Sequence, residues 1–309
     1  PTSEEAIIDT SFYDSWQLIE GFSGLEPRFA ANYTFSPEHS VKLSYNRMQQ
    51  FIHLVSNTTS PTPIDIWTPS GPYIKPAIVD QVAVGYFRNF NDNRYEASVE
   101  AYYKHFDNLL DFKDGAELIL NETLETELLQ GRGRAYGLEF IVRKTQGRLT
   151  GWISYTLARS ERRIEGINGG EYYPSNYDKL HDLSVVGSWA LNPKLTLSGN
   201  FAFMTGRPIT YPDARYNFEG LVIPRYGNRN GARTPAYHRL DLALNWKPGK
   251  RPERRWKGEW VFGIYNIYGR RNPYSIFFRQ NEDNPQQTEA VRLSVFGAPL
   301  PYVTYNFTF

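Results

Sequence analysis

Cysteine is absent from the 309 residues, which excludes disulfide staples, thiolate nucleophiles and thiolate-bound metals. Also lacking is any run of roughly 18 consecutive apolar residues, the length a membrane-spanning helix requires. Neither charge sign is in excess: 34 Lys and Arg stand against 33 Asp and Glu, a net charge of +1. That balance offers no electrostatic footprint for nucleic acid. The chain opens on Pro1, with no initiator Met and no charged-then-apolar leader. Either a leader has been removed or the chain is a fragment, and a fragment is the expectation.

Aromatic residues are plentiful, with 22 Tyr, 19 Phe and 7 Trp. Tyr suits a boundary that is apolar on one side and wet on the other. The mean hydropathy is negative, as in soluble proteins, but a transmembrane barrel gives the same result. Every second residue of such a barrel faces a polar lumen, and its long loops are hydrophilic. Periodicity is more informative. Leu195, Leu197, Gly199, Phe201 and Phe203 alternate with Thr196, Ser198, Asn200 and Ala202; Leu240, Leu242, Leu244 and Trp246 alternate with Arg239, Asp241, Ala243 and Asn245. A period of two puts each set on its own face of a sheet.

Eleven such strands are predicted, near residues 26–35, 40–52, 77–90, 94–106, 133–145, 148–160, 180–191, 194–205, 236–247, 256–269 and 287–309. A twelfth has room before Gly21, although residues 1–24 read as the end of a loop. The connections alternate in length. Ser36-Pro37-Glu38-His39, Asn91-Asp92-Asn93, Gln146-Gly147 and Asn192-Pro193 are tight turns, and a fifth near Pro248-Gly249-Lys250 is longer. Between them lie loops near 53–76, 107–132, 161–179, 206–235 and 270–286. Short turns on one rim and long loops on the other mark an outer-membrane barrel, with the short side periplasmic. Tyr33, Phe35, Phe87, Phe90, Tyr102, Tyr103, Trp189, Trp246, Trp256 and Trp260 fall near strand ends, as interfacial girdles do. A β-propeller would need four short strands per repeat, and a sandwich would not keep its long loops on one side. The expected class is all-β: a transmembrane antiparallel up-and-down β-barrel.

At the end of the chain, Val303, Tyr305, Phe307 and Phe309 alternate onto one face. This pattern resembles the signal read by the barrel-assembly machinery. Such an apolar edge would aggregate unpaired, so barrel closure is expected to pair it.

Several segments are similar to TonB-dependent outer-membrane receptors, in the group that carries a carboxypeptidase-regulatory-like N-terminal domain. They include Glu26-Pro27-Arg28-Phe29, Tyr136-Gly137-Leu138-Glu139-Phe140, Gly147 to Thr156, Tyr177-Asp178 with His181 to Ser184, and Thr205-Gly206-Arg207-Pro208. Tyr237-His238-Arg239-Leu240-Asp241, Tyr265 to Pro273 and the last strand complete the set. The resemblance covers most of residues 26–309 and implies about 11–12 strands of a larger 22-strand barrel. It divides the chain into 1–24, an extracellular loop or strand end, and 25–309, the C-terminal barrel portion. The plug and the first half-barrel would lie outside this chain. It implies import of a bulky nutrient, coupling to the TonB-ExbB-ExbD complex through that plug, and no cofactor. The expected surroundings are outer-membrane lipid and lipopolysaccharide, and a surface lipoprotein partner is an open expectation drawn from SusC-like relatives.

No catalytic or metal pattern stands out. His181-Asp182 and His238 to Asp241 each place a His near a carboxylate at a strand start and read as local hydrogen bonding. Loop 206–235 offers Arg207, Tyr211, Arg215, Tyr216, Arg225, Tyr226 and Arg229, with Arg233, against few acids. Arg with Tyr suits anionic or aromatic solutes; the competing reading is contact with lipopolysaccharide phosphates or packing between neighbouring loops. Loop 107–132 is acidic through Asp107, Asp111, Asp114, Glu117, Glu122, Glu125 and Glu127. It reads as a solvated loop without a Ca²⁺ pattern, with a short helix available over Glu117–Gln130. Two other readings stay open: an autonomous 12-stranded pore or enzyme, and a surface adhesion barrel.

Overall fold

The computed structural model describes residues 11–56, 65–116, 121, 123–218, 221–248, 257–281 and 288–308. Eleven antiparallel strands follow one another in chain order across a single sheet: β1 (Arg28–Ser36), β2 (His39–Gln50), β3 (Ala77–Phe90), β4 (Tyr95–Phe112), β5 (Leu128–Lys144), β6 (Leu149–Arg163), β7 (His181–Asn192), β8 (Leu195–Met204), β9 (Tyr237–Trp246), β10 (Lys257–Tyr265) and β11 (Leu300–Thr308). A two-residue strand, Tyr173–Pro174, adds to the far end of β6. The predicted strands match these in order and approximate position. Among the described residues no strand precedes Arg28; of the stretch before Gly21 that had room for a twelfth, residues 1–10 lie outside the described residues.

Turn chemistry accounts for the short rim. Asn91, Asp92 and Asn93 all adopt left-handed backbone, with φ of 49°, 55° and 61°. Asn and Asp tolerate that region because their short side chains bond locally. The sharp β3–β4 reversal follows.

The ladder fixes the two faces, because directly opposed residues share a side. Trp189 lies opposite both Leu149 and Leu197, Leu197 opposite Leu244, Leu244 opposite Phe262, and Phe262 opposite Val303. On the other flank, Leu138 lies opposite Leu157 and Ala101, Ala101 opposite Val84, Val84 opposite Leu43, and Leu43 opposite Ala31. One apolar face therefore runs unbroken over all eleven strands, and its large side chains are exposed. The reverse face carries Ser44, Glu100, Glu139, Thr156, Asp182, Asn200, Asp241 and Thr304. No second sheet covers either side among the described strands. The two buried apolar clusters lie at the long-loop rim, Val55, Ile74 and Leu128 forming one and Ile164, Ile167 and Tyr173 the other.

Three expectations need correction. Phe87 and Tyr102 are not girdle residues: Phe87 lies opposite Ser98, and Tyr102 opposite Gly137, on the polar face. The span 287–309 is two strands rather than one. Thr288–Leu293 pairs with Ser275–Gln280 as a loop hairpin, and only Leu300–Thr308 joins the wall. The acidic segment is shorter than 107–132, since β4 and β5 extend through Phe112 and from Leu128; the described part of the expected helix span holds a 3-10 turn at Leu124–Glu127, with 117–120 and 122 outside the described residues. β1 and β11 each pair on one side only, so the described strands form an open sheet, a partial barrel. Val303, Tyr305 and Phe307 do share the apolar face with Trp260 and Phe262, while Phe309 and Trp256 lie outside the described residues.

Gly151 marks a tight point in the wall. Its φ is 152°, and a methyl there would collide with the Val186 carbonyl oxygen of β7. Gly151→Ala is expected to cost about 1–3 kcal/mol, measured as a lower urea midpoint for loss of the heat-modifiable folded band.

Candidate functional site

The long loops carry most of the chain's buried polar chemistry. The link between them starts with Asp111, the penultimate residue of β4, whose side chain is only 7% exposed. A bulge at Asn108, with φ 57°, shifts the ladder so that Asp111 pairs opposite Leu129 and turns to the polar side. Arg229 donates from Nη1 to Asp111 Oδ1 at 2.9 Å and to the Phe112 carbonyl at 2.6 Å, and from Nη2 to Asp114. Its guanidinium lies over the Phe112 ring, 4.2 Å from the centroid. Tyr173 donates its hydroxyl to Asp111 Oδ2 at 2.8 Å, and Arg162 approaches the same oxygen at 3.4 Å. Burial first, then the Asp111 charge, pushes the Tyr173 phenol far above its ordinary pKa, so it remains a donor.

The clasp continues through the backbone. Asn168 grips Arg229 at both edges: Arg229 N donates to its Oδ1 at 2.8 Å, and its Nδ2 donates to the Arg229 carbonyl at 3.0 Å. Asn230 donates to the Pro174 carbonyl and to Asn176 Oδ1, and Arg233 pairs with the fully buried Asp178. Asp178 Oδ1 in turn accepts the Ser160 N–H at 2.6 Å. Three loops, 113–127, 164–180 and 205–236, are thus fastened to each other and to the tops of β4 and β6.

Two clefts open beside this clasp. The larger, about 650 Å³, is lined by Asp114, Thr210, Tyr216, Arg225, Tyr226 and Arg229, among others. The smaller, about 170 Å³, is lined by Tyr177, Arg207, Thr210, Tyr226, Tyr274 and Phe278, among others. Asn176, Thr210 and Tyr226 belong to both. The hairpin Pro212–Phe218 with Leu221–Tyr226 forms an outer lip.

With this wall and rim described, the comparisons decide the family. Residues 8–267 match the model described as TonB dependent receptor-like, beta-barrel. The chain belongs to the TonB-dependent receptor family. As a TonB-dependent receptor barrel, its eleven-strand wall is a portion of an outer-membrane protein. No curated protein matches it in sequence. Among solved structures, it is similar to the ferripyoverdine receptor of Pseudomonas aeruginosa (TM-score 0.58, 14% identity, 91% of this chain and 33% of that one). It is also similar to the ferric-catecholate import receptor Fiu of E. coli K12 (0.57, 14%, 91% and 34%). The ferric preacinetobactin receptor BauA of Acinetobacter baumannii is a third (0.54, 15%, 91% and 36%). The chain therefore spans about a third of the length of the solved receptors it matches.

Within this TonB-dependent receptor rim, the residues expected from the sequence divide into three groups. Arg207, Tyr216, Arg225 and Tyr226 line the clefts and are exposed. Tyr211 and Arg215 line neither; Tyr211 packs its ring at a tilt against Phe278, 6.3 Å between ring centroids. Arg229 lines the larger cleft, but with 8% exposure and two carboxylate partners it braces the wall. Arg225 is partly neutralised by Asp213 at 3.5 Å. Sequence reasoning missed Asn176, Thr210, Tyr274 and Phe278. The run Tyr274-Ser275-Ile276-Phe277-Phe278 is conspicuously aromatic for a loop and could have been found. His181 and His238 bond to the Tyr155 and Tyr268 hydroxyls, each at 2.8 Å. Asp182, one residue on from His181, projects from the opposite face, which keeps that pair apart.

Proposed function

We propose that this chain supplies part of the wall and the capture rim of a TonB-dependent importer of a bulky nutrient. The carrying observation is a single sheet, apolar on one side and polar on the other, whose long loops are clasped around two Arg- and Tyr-lined clefts. Arg207 and Arg225 would hold anionic groups through forked hydrogen bonds, and Tyr226, common to both clefts, would stack on flat portions of the solute. The solved relatives are named for ferripyoverdine, ferric catecholate and ferric preacinetobactin; a bulky anionic solute bearing rings fits the chemistry of these clefts. Coupling to TonB-ExbB-ExbD would come through a plug, and folding would use the barrel-assembly machinery, with Val303, Tyr305, Phe307 and Phe309 as its signal. Residues 1–24 would lie at the extracellular rim and 25–309 would form the barrel portion; the 3.3 Å contact of Ser11 with Tyr73, on a long loop, supports that division.

The test is growth of a deletion strain on candidate nutrients, complemented with the wild-type gene or variants. Uptake should vanish without TonB. Tyr226→Ala should weaken solute binding by about 30-fold, the scale of a central aromatic contact, while the folded band still migrates normally. No nutrient-specific defect in the deletion strain would refute the importer reading.

A further inference from the structure

The apolar wall changes character at one place. On β5 and β6, directly above the Leu138–Leu157 row, the ladder pairs Tyr136 with Arg159, Arg134 with Glu161 and Arg132 with Arg163. All six side chains share the face of the wall, and the rows climb toward the long loops. We infer that this patch binds the phosphate headgroup of an outer-leaflet lipid whose acyl chains lie down the wall below it. The inference rests on the membrane placement of the wall, and it does not depend on which solute is imported.

Four arginines meet two carboxylates. Glu161, with a side chain 10% exposed, accepts from Arg134 at 2.8 Å and from Arg159 at 3.2 Å. Asp107 approaches Arg132 Nε at 3.3 Å and is shared with His105. Arg163 spends its Nε on the Gly170 carbonyl, at 2.8 Å. Two positive charges remain in excess. Arg132 and Arg163 stand directly opposite each other, an arrangement that is destabilising between like charges until an anion bridges them. Arg132 engages Asp107 through Nε, and Arg163 adds to its Nε bond only a distant approach to the Tyr172 ring, 5.9 Å from the centroid, leaving the ends of two guanidinium forks for a phosphate, which accepts in that geometry.

Tyr172 lies 4.0 Å from the Arg134 guanidinium and holds it flat against the wall. Below, the same face continues as Leu138, Phe140 and Val142, opposite Leu157, Tyr155 and Ile153. A headgroup seated on the arginines therefore has hydrocarbon-compatible surface beneath it, which a free phosphate ion would not use. Among the described residues the opposite rim of the same wall shows no such cluster: Arg88 and Lys144 there sit singly over the rings of Phe90 and Tyr95.

The test uses the receptor as produced in its outer membrane, extracted in mild detergent, with co-purifying phosphorylated acyl glycolipid quantified by mass spectrometry. The double variant Arg132→Gln/Arg163→Gln should retain about tenfold less of this lipid, with heat-modifiable migration intact, while Arg88→Gln/Lys144→Gln should retain the wild-type amount. Equal retention by both double variants, or equal loss from both, would overturn the inference. Should the first variant fail to assemble, the wild-type receptor still decides. It should bind the phosphorylated glycolipid about tenfold more tightly than the same lipid stripped of phosphate, and excess inorganic phosphate should not displace it. Indifference to the lipid's phosphate would overturn the inference, and displacement by inorganic phosphate would show a free-anion site instead.

Discussion

Replacing Arg229 with Ala is expected to cost about 3–5 kcal/mol of rim stability, the usual effect of removing one partner from a buried ion pair. Asp111 would keep Arg162 at 3.4 Å and the Tyr173 hydroxyl but lose its 2.9 Å partner. The Phe112 carbonyl would lose its donor as well. The damage should be local, because the wall ladder does not depend on Arg229. Hydrogen exchange is the measurement: amides in 164–180 and 205–236 should lose protection while those of β7 to β9 keep theirs. Arg229→Lys should rescue only part of it, since one ammonium cannot reproduce a fork shared between Asp111 and Asp114. Unchanged protection in the loops would mean that the clasp is not what holds them.

The second large effect concerns two neighbouring valines. Val185 lies opposite Ile153 and Phe201 on the apolar face; Val186 lies opposite Trp152 and Asn200 on the polar one. Val185→Arg puts a cation in hydrocarbon near the middle of β7, at a cost of about 2–4 kcal/mol. Val186→Arg puts the same cation on the lumen side and should stay within about 1 kcal/mol of wild type. Urea unfolding in lipid vesicles measures both. Similar costs at the two positions, or the larger one at Val186, would reverse the faces.

How much of this was legible in the sequence follows from the range of each interaction. Alternation such as Leu195 to Phe203 is a local property, and the strands it predicts are present. The reading failed at Thr288–Leu293, which alternates as a wall strand does. Gly297-Ala298-Pro299 just before β11 was the available hint of a break. Asn108 was equally opaque: nothing nearby announces that a single left-handed residue will rotate Asp111 from one face to the other. The rim was least legible. The acidic loop and the basic loop were each read as facing solvent or ligand, whereas their central members answer one another across 118 residues. Local pattern cannot reveal a pairing of that span. The four arginines of the outer wall were present in the sequence too, but only the register shows that Arg132 and Arg163 stand side by side.

The double-edged grip of Asn168 on Arg229 has a consequence for engineering and for natural recombination. A loop transplanted from a relative would carry half of a matched set, leaving either a carboxylate sealed away without its counter-ion or a guanidinium with nothing to seat it. Recognition in this receptor is therefore expected to be exchanged in cassettes, with 113–127, 164–180 and 205–236 travelling together, or retuned through the lip at 212–226 alone, which brings Arg225 and Tyr226 to the clefts.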